Sequence, residues 1–157
     1  GLCIVYYDSS EKMAETNYTN GELNGLAIMY YKNGQKMTLV SMMNGKRHGD
    51  ATYWHENGEL MQKSAYFEGE ADGPYTTYYD NGQIKEKGNF KNGKGDGALN
   101  RWYENGQKMA DGIVTDGDIK VLQLWNEDGS RKTQEEIEQY ENTIKLTKIA
   151  DFENDLE

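Results

Sequence analysis

Apolar and aromatic positions cluster in short runs along this chain, and polar turns that contain glycine separate the runs. The segments 27–31 and 75–79 are rich in aromatic and β-branched residues, which is the composition typical of β-strands. Each such run leads into a turn, and a second run, such as 35–40, follows that turn. The pattern therefore predicts a succession of β-hairpins.

The turns form two interleaved sets that recur every 24 residues. The first turn set is Asn33-Gly34, Asn57-Gly58, Asn81-Gly82, Asn105-Gly106 and, one residue early, Asp128-Gly129. The second turn set is Asn20-Gly21, Asn44-Gly45, Glu68-Gly69, Asn92-Gly93 and Asp116-Gly117. Asn-Gly favours the type I′ turn, in which both central residues need positive φ. A fixed period of this kind marks a repeat protein, so we expect each 24-residue unit to be one hairpin.

Neighbouring hairpins joined by short turns pair with one another. We therefore predict an all-β fold: a single-layer antiparallel meander of about 5.5 repeats of 24 residues, followed by a C-terminal helix. The array covers residues 1–132, and an acidic helical tail covers 133–157. At about 4.8 Å per strand, some eleven strands extend roughly 50 Å.

The repeated unit has the form Gly-x-x-x-x-[Tyr/Trp]-Tyr-x-Asn-Gly-[Gln/Glu]-x-[Met/Lys], followed by Asn-Gly-Lys-x-x-Gly. It resembles the variant MORN (membrane occupation and recognition nexus) repeat of bacterial proteins. The resemblance implies a single-layer hairpin array and an antitoxin-like or secreted subgroup, but it implies no one activity. The family often has Trp two residues after the unit's first Gly, where this chain has Cys3, Ala27, Ala51, Tyr75 and Leu99.

The formal net charge is −10, and its distribution limits the partners. Eight acids and two lysines give residues 133–157 a charge of −6, which leaves −4 for the repeats. Nucleic acids and anionic lipids both require clustered Lys and Arg, so neither is an expected partner. The small basic cluster 46–48 is best interpreted as a solvated turn.

The tail begins with a capping box, because Glu136 follows Thr133 at the required spacing of three residues. Ile137, Tyr140, Ile144 and Lys148 then share one face of a helix, which we expect from about 134 to 148, ending near Asp151. This helix either covers the open edge of the last strand or binds a partner, including by domain swapping. The alternating segment 143–149 leaves a strand as the alternative.

Cys3 is the only cysteine, so no intramolecular disulfide is expected. A small apolar strand residue is its simplest interpretation, and a lipid-modified or reactive thiol is the alternative. The chain starts with Gly1 in the first strand of a unit, from which we expect that upstream sequence has been removed. That start and the resemblance favour an exported protein, whether periplasmic, cell-surface or secreted. Open sheet edges also make self-association by edge pairing a candidate.

No catalytic constellation is supported by a motif, so we expect neither an enzyme nor a cofactor or metal site. The two histidines are His48, in a turn, and His55, which stands where other repeats have Tyr.

Two groups of side chains are candidates for binding. Consecutive strand residues point to opposite faces, so both faces of the sheet carry an aromatic column. One column comprises Tyr6, Tyr30, Trp54, Tyr78, Trp102 and Trp125, and the other comprises Tyr7, Tyr31, His55, Tyr79 and Tyr103. We expect the second column to be the more exposed and to bind, unless its rings only pack on lysine stems. Met29, Met42 and Met43 form the second group, because methionine-rich surfaces adapt to varied partners.

The leading hypothesis is a non-enzymatic scaffold that binds another protein through an aromatic face of the sheet. An antitoxin-like inhibitor is one form of it. A carbohydrate- or peptidoglycan-binding module is the alternative, since flat aromatic rows stack on sugar rings.

Overall fold

The structure is a computed structural model, which describes the backbone of residues 1–154 and the side chains of residues 1–145. Its strands are β1 Leu2–Tyr6, β2 Lys12–Thr19, β3 Glu22–Tyr30, β4 Lys36–Met43, β5 Lys46–Trp54, β6 Leu60–Phe67, β7 Glu70–Ala71, β8 Gly73–Tyr78, β9 Ile84–Lys91, β10 Lys94–Gly95, β11 Gly97–Trp102, β12 Lys108–Thr115 and β13 Asp118–Leu124. One helix, α1 Gln134–Asn154, follows them.

The thirteen strands of the described residues form one antiparallel sheet in sequence order. Eleven of them make a continuous path, while the two-residue strands β7 and β10 pair only with β6 and β9. The predicted fold class is confirmed: a single-layer meander of hairpins that recur every 24 residues, with a C-terminal helix. The division into a repeat domain and a tail domain stays a prediction.

The two turn sets have different backbone conformations. In the second set both central residues have positive φ, as at Asn44 (φ 50°) and Gly45 (φ 75°), which is the predicted type I′ turn. In the first set only the glycine does, as at Gly34 (φ 84°). The backbone N–H of Gly34 donates to the Tyr31 carbonyl, and the N–H of Tyr31 donates to the Gln35 carbonyl. The type I′ expectation is therefore wrong for the first set, where a wider turn ends in one left-handed glycine.

The asparagines of the first set are explained by their side chains rather than by φ. The Asn57 Oδ1 accepts a hydrogen bond from the Glu59 N–H at 2.9 Å, which closes its own turn. Its Nδ2 donates to the Asp80 carbonyl in the next repeat at 3.0 Å. The side-chain amide of asparagine supplies both an acceptor and a donor, whereas the carboxylate of aspartate would supply only acceptors. Asn33, Asn81 and Asn105 repeat both bonds.

The two faces of the sheet are defined by cross-strand partners, which point to the same side. One unbroken series of partners crosses all eleven strands of the path and ends at Leu124, under α1. We call it the Val5–Leu124 row: Val5, Ala14, Met29, Thr38, Tyr53, Gln62, Thr77, Glu86, Arg101, Ala110 and Leu124. The face that bears this row is called the helix face, and the other is called the opposite face.

A second row of the helix face holds the positions where related repeats often have Trp. Where this chain has a large side chain at one of these positions, the paired strand has a glycine opposite it. Tyr75 stands opposite Gly88, where a Cβ atom would lie 2.6 Å from the tyrosine ring. Leu99 likewise stands opposite Gly112, whereas the small Ala51 faces Ser64. Ala51 is 1% exposed and Leu99 6%, so this central row stays packed without tryptophan.

Helix α1 begins as predicted, with reciprocal capping bonds between Thr133 and Glu136. The predicted helix at 134–148 is confirmed and continues to Asn154, so the strand alternative for 143–149 is wrong. The described side chains do not include Lys148, which is expected on this helix face, or the acidic residues Asp151, Glu153, Asp155 and Glu157.

Replacing Asn57 tests whether first-set asparagines join neighbouring repeats. Asn57→Asp keeps the acceptor for the Glu59 N–H but removes the donor to the Asp80 carbonyl. We expect the free energy of unfolding in urea to fall by about 1 kcal/mol, the usual net contribution of one hydrogen bond. Asn44→Asp adds the same charge in a second-set turn, and an equal loss there would contradict the assignment.

Candidate functional site

The tyrosine column predicted to bind lies at the rim of the sheet and hydrogen-bonds within the array. The Tyr31 hydroxyl donates to the Trp54 carbonyl, 23 residues further on, at 2.8 Å. The same bond joins Tyr7 to Tyr30, Tyr79 to Trp102 and Tyr103 to Trp125. His55 lies in the same place, with Nε2 3.5 Å from the Tyr78 carbonyl.

These bonds change what the column offers to a partner. All five rings are half-buried rather than openly exposed, and the hydroxyls already have acceptors in the next repeat. Burial and the nearby Glu104 raise the pKa of Tyr79. Binding by this column stays a prediction, but its main role in the structure is to join consecutive repeats.

The other aromatic column lies on the opposite face, among lysine side chains. The ammonium groups of Lys87 and Lys108 lie 6.0 and 5.9 Å from the ring centre of Trp102. Lys108 also lies 5.7 Å from the ring centre of Trp125. The Tyr30 hydroxyl donates to Glu15 at 3.2 Å. Cation–π contacts and lysine stems therefore already cover part of this column.

The structure separates the three candidate methionines. Met29 belongs to the Val5–Leu124 row, and Met42 lies two residues beyond Val40, so both lie on the helix face. Met43 follows Met42 in the same strand and points to the opposite face. Met29 and Met43 are almost equally exposed, at 43% and 47%. The two faces can therefore be compared with matched substitutions.

Helix α1 covers one end of the helix face. Ile137, which is 5% exposed, packs on Ala110, Val121 and Leu124, and Tyr140 and Ile144 pack at the margin of this cluster. These three helix residues are those that the sequence placed on one face. The Glu141 carboxylate also accepts a hydrogen bond from the Val121 N–H of the last strand at 2.7 Å. The helix therefore covers the last strand, as the first of its two interpretations expected.

A polar network under α1 joins the helix to the middle of the row. Arg101 donates to the Tyr140 hydroxyl at 3.0 Å and to Glu86 at 2.5 Å, and the Tyr75 hydroxyl also donates to Glu86. Burial alone would lower the pKa of Arg101, but the charge of Glu86 and their hydrogen bond raise it. Burial and the bond to Glu86 raise the pKa of Tyr75 well above its usual range.

The other end of the helix face has no covering element among the described residues. It presents Val5, Met29 and Tyr53 from the Val5–Leu124 row, and Met42 and Tyr66 beside them. Together with Arg47, these residues are called the open end of the helix face. Val5 is 39% exposed, and the main contact of α1 with the sheet is at β13, the strand farthest from Val5.

Three polar groups of the open end lie on β5 and β6, on the side towards the middle of the sheet. The Arg47 guanidinium lies 4.5 Å from the ring centre of Tyr66. Burial alone would raise the pKa of Tyr66, but hydrogen bonds to Tyr53 and Ser64 and the charge of Arg47 lower it. Burial and the bond to Tyr66 raise the pKa of Tyr53. Among the described side chains, no carboxylate is paired with Arg47.

Sequence reasoning missed Arg47, Tyr53 and Tyr66 as site residues. The sequence predicts Arg47 and His48 in a turn, but both belong to β5, where His48 packs against Phe67. Tyr53 could have been found from strand alternation, because it is two residues from the buried Ala51 and so shares its face. The stacking of Arg47 on Tyr66 depends on the register between strands and carries no local signal.

No cluster of three or more metal-ligating side chains occurs in the part of the chain that the structure describes. No helix in the described structure has the length and apolar character that crossing a membrane requires.

Comparison with protein families finds a match for three of the repeats. A family model described as the MORN repeat variant matches three consecutive segments, residues 23–44, 47–68 and 71–92. Each segment spans one hairpin of the sheet, so the resemblance seen in the sequence is confirmed for these repeats. Repeats of this family are generally non-catalytic modules that bind proteins or membranes. A search of curated proteins finds no significant match.

Removing one hydroxyl tests the structural role of the tyrosine column. Tyr79→Phe keeps the ring and loses the 2.8 Å bond to the Trp102 carbonyl, which is left without that donor. We expect the free energy of unfolding to fall by about 1 kcal/mol. Tyr6→Phe is the matched control, because Tyr6 is 54% exposed and belongs to the other column. Equal effects of the two substitutions would show that the bonds from tyrosine hydroxyls to the next repeat do not stabilise the array.

The environment of Tyr75 predicts a loss of stability in alkali. Because folding raises the pKa of Tyr75, the neutral phenol favours the folded state, and this contribution is complete below the ordinary tyrosine pKa of 10.0. It is lost as pH rises above that value. Urea unfolding between pH 9 and 11.5 should therefore show a shallower decline for Tyr75→Phe than for the parent. Parallel declines would contradict this assignment.

Proposed function

We propose that this chain is a non-enzymatic, protein-binding repeat scaffold of a bacterium, and that it binds through the open end of the helix face. The proposal rests on one observation: α1 covers one end of the continuous helix face and leaves the other end uncovered. The Val5–Leu124 row is packed under α1 at Ala110 and Leu124 but uncovered at Val5 and Met29. Clustered apolar and aromatic side chains of this kind mark interaction sites.

The composition of the open end suits a protein partner. It combines two methionines, which adapt to varied shapes, with two tyrosines and an arginine, which are enriched in protein interfaces. Bacterial origin and export are parts of the proposal that rest on the resemblance of the repeats. An antitoxin-like inhibitor would use the same surface, with an endogenous bacterial protein as its partner.

Carbohydrate binding has less support, because it needs flat aromatic rings that are free to stack. On the opposite face, Lys87 and Lys108 lie over Trp102, and Lys108 also reaches Trp125. A sugar ring would have to displace these lysines before it reached either indole.

Capture experiments with matched variants test the proposed surface. The folded chain is used as bait for bacterial lysate and for host-cell extract, and captured proteins are identified by mass spectrometry. We expect Met29→Asp to lose a specific partner that Met43→Asp retains, because the two side chains are similarly exposed on opposite faces. The extract that supplies the partner separates an endogenous bacterial target from a host target.

The reverse result would contradict the proposal. Loss of capture by Met43→Asp alone would assign binding to the opposite face. Unchanged capture by both variants would show that the partner contacts neither methionine. Replacing Tyr31, Tyr79 and Tyr103 with Ala is a poorer design, because it removes bonds between repeats as well as surface. Circular dichroism of each variant verifies folding.

A further inference from the structure

We infer that the open end of the helix face binds an acidic amphipathic helix of a partner protein, which lies on the sheet as α1 does at the other end. The inference rests on the proposed function and names the class of partner. Three observations support it: how α1 docks, how the same face continues, and which charge it carries.

Helix α1 shows which element this face accepts. Its apolar residues Ile137, Tyr140 and Ile144 are three and four residues apart, so they form one stripe against the sheet. Polar contacts flank the stripe, with the Tyr140 hydroxyl bonded to Arg101 and the Glu141 carboxylate bonded to a strand N–H. The sheet thus combines a shallow apolar surface with an arginine on the same row.

The open end offers a similar combination at the other end of the Val5–Leu124 row, except that its arginine, Arg47, lies beside the row opposite Met42 rather than on it. Val5, Ala14 and Met29 are direct cross-strand partners there, as Ala110 and Leu124 are beneath α1. Backbone amides in the body of the sheet are already paired by neighbouring strands. A strand could therefore add only at an edge, whereas a helix satisfies its own backbone and needs only an apolar stripe to dock.

The charge of the open end selects an acidic helix. Arg101 is neutralised by Glu86, but Arg47 has no carboxylate partner among the described side chains. Its guanidinium is held over the Tyr66 ring, which orients it. A carboxylate beside the apolar stripe of a docking helix would form the ion pair that Arg47 lacks.

The chain supplies its own probe for the experiment. A synthetic peptide of residues 131–154, labelled at its N-terminus, is titrated with the intact protein and followed by fluorescence anisotropy. Because α1 is tethered at its own site, the added peptide competes poorly there and is available for the open end. We expect saturable binding, and a peptide with Ile137→Ser and Ile144→Ser should not bind.

Variants of the intact protein locate the site. We expect Met29→Asp and Arg47→Glu each to weaken peptide binding at least tenfold, with Met43→Asp unchanged. Binding by the parent should also weaken as salt is raised, because it includes an ion pair to Arg47. Loss of binding in Leu124→Asp together with full binding in Met29→Asp would mean that the peptide displaces α1, which would overturn the inference.

Two further results would overturn it. One is the absence of saturable peptide binding to the folded parent. The other is a concentration-dependent dimer in sedimentation velocity that Met29→Asp converts to monomer, because the occupant would then be a second copy of the chain. Failure of the peptide while Met29→Asp still loses a captured partner would refute the helix but leave the protein-binding function intact.

Discussion

Hydrogen bonds from each repeat to the next are the interaction on which the rest of this structure depends. A single layer of hairpins has no second sheet against which to pack, so its interior is thin and few side chains are fully buried. The rim compensates with two regular bonds per repeat, from a tyrosine hydroxyl and from an asparagine amide to carbonyls in the following unit. These bonds fix how consecutive hairpins lie, and that fixes which side chains share a face.

The most conspicuous sequence feature therefore has an unexpected meaning. The Tyr column looks like a binding surface because tyrosine is common in interfaces. In the structure its hydroxyls serve the array, and the same applies to the first-set asparagines, whose φ values are ordinary. A residue that recurs at the repeat period is needed by every repeat, so periodicity alone favours a structural role. Arg47, Tyr53 and Tyr66 stand at positions that differ between units, where a specific site can arise.

The sequence predicts this fold well because its signals are local and repeated. Positions of turns, the hairpin period, the capping box at Thr133 and the apolar stripe of α1 all depend on neighbours in the chain. The candidate site depends on side chains brought together across strands. Two contacts of this site depend on the register between strands: the ion pair of Arg101 with Glu86 and the stacking of Arg47 on Tyr66. The two kinds of turn and the bulge before each first-set turn set that register together. No short window of sequence contains that information.

The spacing of the hydrogen bonds between repeats also means that the length of this sheet can change only by whole repeats. Each donor reaches an acceptor 22 or 23 residues further on, so gain or loss of one whole unit preserves every type of bond. One unit adds two strands, or about 10 Å of sheet at the usual strand separation. The distance between the helix-covered end and the open end is consequently set by the number of repeats. A lineage could change the separation of two bound elements in fixed steps without redesigning either of them.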